Sequence, residues 1–118
     1  MANEIKYNLS LSVNKGGVKT ERQESNSIDM TGESITHSVQ EIPTGGEVLV
    51  EGDVLGTVGY VYIKNLDSTN YVTVGSHATS NHAIKLKAGE ACLFRAAGSV
   101  YVQANTAACN VEYIVIED

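Results

Sequence analysis

The second half of the chain repeats one pattern, in which short runs of β-branched, aromatic and aliphatic residues alternate with compact polar turns. Five or six such runs lie between Val58 and Glu117, and their sequences are VGYVYIKN, YVTVG, AIKLK, ACLFRA, SVYVQA and NVEYIVIE. Strands this short and evenly spaced are typical of a β-sandwich or barrel and not of a core in which strands and helices alternate. The pattern therefore predicts an all-β fold.

The first half carries related signals. Apolar residues alternate with polar ones at the start of the chain, as in a strand with one buried face and one solvated face. The glycine pair after Lys15 indicates a turn, and the polar stretch from Val18 to Ser27 is expected to be a strand that faces solvent or a partner. The alternating apolar positions are Ile5, Tyr7, Leu9, Leu11 and Val13.

These strands are predicted to form one domain. A chain of 118 residues is long enough for a single modest core, and no segment of ten residues shows the 3.6-residue period of a helix. We expect an antiparallel β-sandwich of about eight to ten short strands, with jelly-roll topology. Residues 1–30 are expected to be part of this domain or to form an arm or edge hairpin that contacts partners.

The charge of the chain limits its partners. The formal net charge is −6, and residues 1–57 hold four basic against nine acidic side chains. Because phosphate neutralisation supplies most of the affinity for nucleic acid, an acidic chain without a basic stripe is a poor nucleic-acid binder. The same charge argues against docking on anionic lipid.

Two further features of the sequence bear on the compartment. No apolar run approaches the roughly 18–20 residues that span a bilayer, and the N-terminal residues lack the pattern of a signal peptide, so we expect synthesis in a cytoplasm. Thiols usually stay reduced there, so Cys92 and Cys109 are interpreted as small buried apolar residues. A disulfide between adjacent strands is the alternative.

Candidate chemical groups are sparse. His77 and His82 flank one polar loop, but a zinc site needs three or four ligands and no third is apparent nearby, so a solvated loop is favoured. His37 occupies an alternating strand position, which favours a packed or half-exposed histidine at the edge of the core.

The acidic residues of the first half also fit no known site. Glu41, Glu47, Glu51 and Asp53 match no calcium-loop spacing, which favours solvated turn charges; an acidic docking surface is the alternative. The sequence has no GxSxG elbow, and its glycine pairs lack the context of a phosphate-binding loop. We therefore expect no cofactor, no metal and no enzymatic activity.

Tyrosines are the most abundant aromatic residues, and five of the six lie in the predicted strands of the second half: Tyr60, Tyr62, Tyr71, Tyr101 and Tyr113. Tyrosine suits core edges, subunit interfaces and sugar-stacking platforms, although the absence of tryptophan weakens the last of these. The strand that holds Tyr60 and Tyr62 is apolar on both faces, so it is expected to be central or covered by a neighbouring subunit. The predicted interface residues are Val18, Thr20, Arg22, Glu24, Tyr60 and Tyr62.

Residues 58–117 resemble small structural proteins of tailed-phage virions. The resemblance is carried by the stretch GYVYIKNLDSTNYVTVG, then by IKLKAGEACLFRA, and finally by SVYVQANTAACNVEYIVIE. The shared pattern is an apolar strand that ends in an Asn-Leu turn at Asn65, an NYV-x-VG strand up to Gly75, a Gly-Glu turn at Glu90, and a final strand through Tyr113.

The resemblance implies a capsid decoration or cement protein of jelly-roll type, commonly trimeric, on the outside of the phage head. Its partner would be the major capsid protein, and it would stabilise the shell mechanically without catalysing a reaction. A tail or head-fibre attachment component and a small carbohydrate-binding sandwich are the alternatives. The resemblance transfers no site residues, and head or tail location and oligomer order stay open.

Overall fold

The computed structural model describes residues 4–52 and 56–118. Within these ranges the chain forms ten strands, all of whose pairings are antiparallel, and no helix, which confirms the predicted all-β sandwich. The chain divides into two compact units, the first ending at Thr31 and the second beginning at Gly32. Asp53, one of the acidic residues that the sequence assigns to solvated turns, lies outside the described residues.

The first unit is a long β-hairpin of β1 (Ile5–Lys15) and β2 (Val18–Ile28). The two strands pair without a bulge from Ile5 opposite Ile28 to Lys15 opposite Val18. Gly16 and Gly17 have φ values of +61° and +82°, which are the two left-handed positions that a type I′ hairpin turn requires. The predicted turn and the predicted strand at residues 18–27 are both confirmed.

The second unit contains eight strands in two four-stranded sheets. Sheet I has the order β3-β10-β5-β8, and sheet II has the order β4-β9-β6-β7. The strands are β3 (Ile35–Ile42), β4 (Glu47–Val48), β5 (Val58–Asn65), β6 (Val72–Gly75), β7 (His82–Leu86), β8 (Ala91–Arg95), β9 (Tyr101–Ala104) and β10 (Cys109–Glu117). Tyr71 lies one residue before β6, so its predicted place inside a strand is wrong by one position.

The strand pairing is that of a jelly roll. Strands pair from the ends of the unit inwards: β3 with β10, β4 with β9, β5 with β8, and β6 with β7. This is one long antiparallel ribbon, and the additional pairings of β10 with β5 and of β9 with β6 close it into two sheets. The result is the double Greek-key arrangement of jelly rolls.

The core lies between the two sheets and is built from alternate residues of each strand. Sheet I contributes Val61, Ile63, Val111, Tyr113 and Val115, while sheet II contributes Val72, Val74, Leu86, Val102 and Ala104, all nearly inaccessible to solvent. The Tyr113 hydroxyl donates a hydrogen bond of 2.8 Å to the Val50 carbonyl, so this buried ring keeps a partner for its polar end. Because every strand supplies one face to the core, the opposite faces of both sheets point outwards.

Asn65 is a buried polar residue at the end of β5, and it fixes one corner of the sandwich. Its amide nitrogen donates to the carbonyls of Asn70 (2.9 Å) and Leu86 (3.1 Å), and its amide oxygen accepts from the N–H of Asp67 (3.0 Å). Its main chain bonds the turn between β7 and β8, since the Asn65 carbonyl accepts from Gly89 and the Asn65 N–H donates to Glu90. The Asn-Leu and Gly-Glu turns of the sequence pattern therefore meet at this side chain.

The Glu117 carboxylate holds the last strand against two loops. One oxygen accepts hydrogen bonds from the backbone N–H groups of Glu33 and Ser34 at 3.0 Å, and the other accepts from Gly56 at 2.9 Å. Hydrogen bonds from the backbone of Ser34, and then of Gly56 and Glu33, hold the pKa of Glu117 below its usual value because they favour the ionised form.

Candidate functional site

The first candidate surface is one face of the hairpin, termed here the hairpin face. Residues directly opposite each other in an antiparallel pair share a face. The register therefore places the apolar residues of β1 beside alternate residues of β2. The hairpin face consists of Ile5, Tyr7, Leu9, Leu11, Val13 and Lys15 on β1 and of Val18, Thr20, Arg22, Glu24, Asn26 and Ile28 on β2.

The hairpin face is accessible, and its apolar residues lie mainly along β1, beside polar and charged residues of β2. Leu9, Leu11, Val13 and Val18 are 49%, 59%, 51% and 68% exposed. Isolated large apolar side chains are common on protein surfaces, whereas a contiguous exposed row along one strand is typical of surfaces that make contacts. The only charged pair on this face that the structure describes joins Arg22 to Glu24 at 3.4 Å, with both side chains exposed.

The opposite face of the hairpin is polar. It presents serine, asparagine and charged side chains, among them the ion pair of Lys19 with Glu21 at 3.5 Å. Ser25 donates a hydrogen bond of 2.5 Å to the side chain of Asn8 across the two strands. The hairpin is thus amphipathic, and only one of its faces suits an apolar partner.

The second candidate surface is the outward side of sheet I, termed the outer face of sheet I. One row across the four strands consists of His37, Ile114, Tyr62 and Leu93, each directly opposite the next. Ile35 and Val39 on β3 are 60% and 55% exposed, while Ile114, Tyr62 and Leu93 are half-buried. Aliphatic and aromatic side chains therefore occupy the middle of this face.

Charged and polar groups surround that apolar centre. His37 Nε2 lies 2.8 Å from a carboxylate oxygen of Glu112. Arg95 stacks over the ring of Tyr60, 4.6 Å from its centroid, and forms an ion pair of 3.1 Å with Asp118. An apolar centre with a polar rim is the usual composition of a protein interface.

The structure places the six predicted interface residues on two surfaces. The four from β2 all lie on the hairpin face, and Tyr60 and Tyr62 both lie on the outer face of sheet I. Their role in contacts stays a prediction. Sequence reasoning missed Ile114, Ile116 and Leu93, although β10 shows the signal: it is apolar at both odd and even positions, as β5 is.

His77 and His82 both have contacts with polar groups of nearby residues. His82 Nδ1 lies 2.8 Å from the Thr73 hydroxyl and its Nε2 lies 2.5 Å from the His77 carbonyl. His77 Nδ1 lies 3.0 Å from both Ser76 Oγ and Asn81 Nδ2. In residues 4–52 and 56–118, no three His, Cys, Asp or Glu side chains come together in a way that could hold a metal ion.

Both thiols are free. Cys109 is buried and Cys92 is half-buried against the core, in line with the interpretation of both as small apolar residues. Burial raises the pKa of each thiol, because desolvation disfavours the thiolate.

The described part of the second unit includes an apolar and a polar depression. An apolar groove of about 470 Å³ opens between the sheets beside the β8–β9 connection, and it is lined by Val74, Ile84, Phe94, Ala96, Val100 and Tyr101 among others. A smaller polar depression of about 210 Å³ is lined by Tyr71, Thr73, Gln103, Ala104 and Asn105. The Lys85 ammonium sits 4.1 Å from the centroid of the Tyr71 ring.

Comparison with known proteins found no match: no protein family, no curated protein and no solved structure is similar to this chain. Among the described residues, no helix is long and apolar enough to cross a membrane.

Proposed function

We propose that the chain is a non-enzymatic structural protein of a tailed-phage virion, made in the host cytoplasm. In this role it is a decoration or cement module that binds the major capsid protein on the outer surface of the head and stabilises the shell. The observation that carries the proposal is the exposed, amphipathic hairpin, which offers an apolar contact surface beyond what a jelly roll needs. The resemblance of residues 58–117 to phage virion proteins supplies the class of partner.

A hairpin of this kind suits docking onto another protein. A two-stranded hairpin is at best marginally stable alone in water, so a long one gains most from a surface that covers its apolar face. The hairpin is also a two-stranded sheet, so each of its strands is an edge strand onto which a strand of another protein can pair. A capsid shell would offer both kinds of contact at every repeat of its lattice.

The proposed mechanism is mechanical. Each copy would bridge a boundary between capsomers, and many copies would add small interface energies into a large resistance to the pressure of packaged DNA. A homotrimer, which the resemblance implies, would bind three equivalent sites at once. The jelly-roll architecture is used by viral capsid domains and also by lectins, so it is compatible with the proposal without deciding it.

The test is titration of the purified protein onto heads of the encoding phage assembled without it. We expect saturable binding and a higher temperature of head disruption. Leu11→Lys, on the hairpin face, should weaken binding at least tenfold, whereas Ser12→Lys, its neighbour on the polar face, should not. Absence of saturable binding, or heads no more heat-resistant after saturation, would overturn the proposal.

A tail or head-fibre attachment component is the alternative within the same class, because the hairpin could equally dock onto a tail protein. Gold labelling of the protein in intact virions distinguishes the two locations. Label confined to the tail would replace the decoration role by the attachment role.

A small carbohydrate-binding module is the second candidate function, and the polar depression beside Tyr71 favours it. The depression combines an aromatic ring with the amides of Gln103 and Asn105, which is the chemistry that sugar hydroxyls and sugar faces use. Calorimetry against a panel of glycans tests it, with Gln103→Ala as the variant that should lose binding. A monomeric protein that binds glycans and not heads would establish this function in place of the first.

A further inference from the structure

The two sheets of the jelly roll differ on their outward sides. On sheet II the row Gln103, Thr73 and Lys85 crosses three strands and is entirely polar. On sheet I the corresponding central row holds Ile114 and Tyr62 on the two middle strands. An antiparallel sheet with one solvated side normally shows polar residues there, so the fold itself does not require the apolar side chains of sheet I.

The charges beside that apolar row are arranged in complementary fashion. Glu112 on β10 and Lys64 on β5 are directly opposite each other, in the row next to Ile114 and Tyr62. The two central strands of the sheet therefore carry one acidic and one basic side chain at the same position along the strand direction. Val39 and Ala91 complete this row on the outer strands.

The geometry points to the outer face of sheet I as a two-fold interface between two copies of this chain, with the axis along the strands, between β10 and β5. A two-fold axis in that direction places β10 of one copy over β5 of the other. Glu112 then faces Lys64 of the second copy, Lys64 faces Glu112 of the second copy, and Ile114 packs on Tyr62 of the second copy. Facing sheets cross at about 30°, a rotation that long side chains near the axis can follow.

A two-fold axis across the strands is less favourable. It would exchange the rows on either side of the central one, so that Glu112 would face Ile116 of the second copy and Lys64 would face Tyr60. Lys64 and Glu112 would then both face apolar groups of the second copy, and Glu112 would keep only its contact with His37 in its own chain, so burial of these charges would be costly. Charge complementarity therefore selects the axis along the strands.

The area of the outer face of sheet I indicates how tightly two copies should bind. Four strands spaced about 4.8 Å apart and about six residue steps of 3.4 Å cover roughly 400 Å² in projection. This is the size of surface patches that mark interaction sites, but it is smaller than a standard protein interface. We expect a dimer that dissociates in the micromolar range.

This pairing does not rest on the proposed virion role, because it uses residues of the second unit alone and needs no shell. If the chain also forms homotrimers through other residues, the same contact would join trimers to one another, and the resulting particle would contain an even number of chains. The mass of the particle in multiples of the 12.6 kDa chain distinguishes these assemblies.

The test is sedimentation of the full chain over a range of concentrations, with charge-reversal variants mixed. Glu112→Lys alone and Lys64→Glu alone each place like charges across the interface, so each should weaken pairing at least tenfold. An equimolar mixture restores one acidic and one basic partner at both contacts, and it should recover pairing. A purely intrachain role for these charges would not be rescued by mixing.

The matched control is Lys85→Glu, a reversal of charge on the polar outer side of sheet II, which should leave the pairing unchanged. Urea unfolding of each variant verifies that it is folded. The inference is overturned if the folded variants pair like the wild-type chain, if the mixture fails to recover pairing, or if the wild-type chain stays monomeric or forms only trimers at several hundred micromolar.

Discussion

Replacement of Asn65 by alanine should remove much of the stability of the second unit. The substitution deletes three hydrogen bonds, to the carbonyls of Asn70 and Leu86 and from the N–H of Asp67. Each bond contributes about 1 kcal/mol net, and a buried group left without a partner costs a further 1–3 kcal/mol. With Asn65 itself fully buried, we expect a loss of about 3–5 kcal/mol in the free energy of unfolding.

Urea unfolding followed by tyrosine fluorescence or circular dichroism measures this loss. With a slope of about 2 kcal/mol per molar urea, the midpoint should fall by roughly 2 M. Asn110→Ala is the matched control, because Asn110 is an exposed asparagine on β10, and its midpoint should shift by less than about 0.3 M. If the two variants are equally stable, Asn65 does not fix the corner as described.

A second substitution at the same position separates hydrogen bonding from size. Asn65→Asp keeps the acceptor for Asp67 but directs an oxygen at two carbonyl oxygens, and it buries a charge at neutral pH. Burial raises the pKa of such a carboxyl, so its destabilisation should be greatest at neutral pH and should diminish as the pH falls and the group becomes protonated. A pH-independent effect would contradict this reasoning.

Three further outcomes follow from the described contacts. Glu117→Gln should destabilise the protein at pH 7, and the difference in the free energy of unfolding from the wild-type chain should shrink from about pH 4.3 downwards. The reason is that the lowered pKa of Glu117 stabilises the fold above the unfolded-state pKa, and this stabilisation is lost as the pH falls through the folded-state pKa. A difference that is constant from pH 7 to pH 3 would contradict this. Gly46→Ala should lower the free energy of unfolding by more than about 3 kcal/mol, because the new Cβ would lie 1.9 Å from the Ala78 carbonyl oxygen. Gly89→Ala, at a similar positive φ but in open space, should lower it by only about 1 kcal/mol. Equal losses in urea unfolding would refute the predicted clash. The two thiols should react slowly with a disulfide reagent at pH 7 until urea unfolds the protein, because burial raises their pKa; fast reaction of both in the folded protein would exclude it.

Much of the fold is predictable because strand and turn signals are local. The runs in the second half became six strands, and the glycine pair after Lys15 became the hairpin turn. The ends of the strands were less predictable: β4 ends at Val48, although the Leu49 N–H still donates to the Val100 carbonyl at 2.9 Å and the Leu49 side chain is buried. Pairing between distant strands, such as β3 with β10, depends on long-range packing that no local pattern encodes.

The candidate surfaces were only partly predictable, because alternation along a strand shows which residues share a face but not which face is covered. Alternation on β1 correctly marks one apolar face, but it implies burial, whereas Leu11 is largely exposed. In β10, apolar residues at both parities are typical of a central strand covered on both sides. The structure shows that only the side with Tyr113 is covered within the described part of the second unit, so the side with Ile114 became visible only once the sheets were assigned.

The boundary between the two units also changes the meaning of the charge. Residues 1–31 hold four basic and four acidic side chains, so the net charge of −6 resides entirely in residues 32–118. A strongly charged body keeps a protein soluble and discourages unspecific association. The first unit, which contains the hairpin, has no net charge, so it lacks the electrostatic repulsion between copies that a strongly charged body has. Contacts made through the hairpin therefore meet little electrostatic opposition, whereas contacts made through the acidic jelly roll need local compensation, such as the opposition of Glu112 and Lys64.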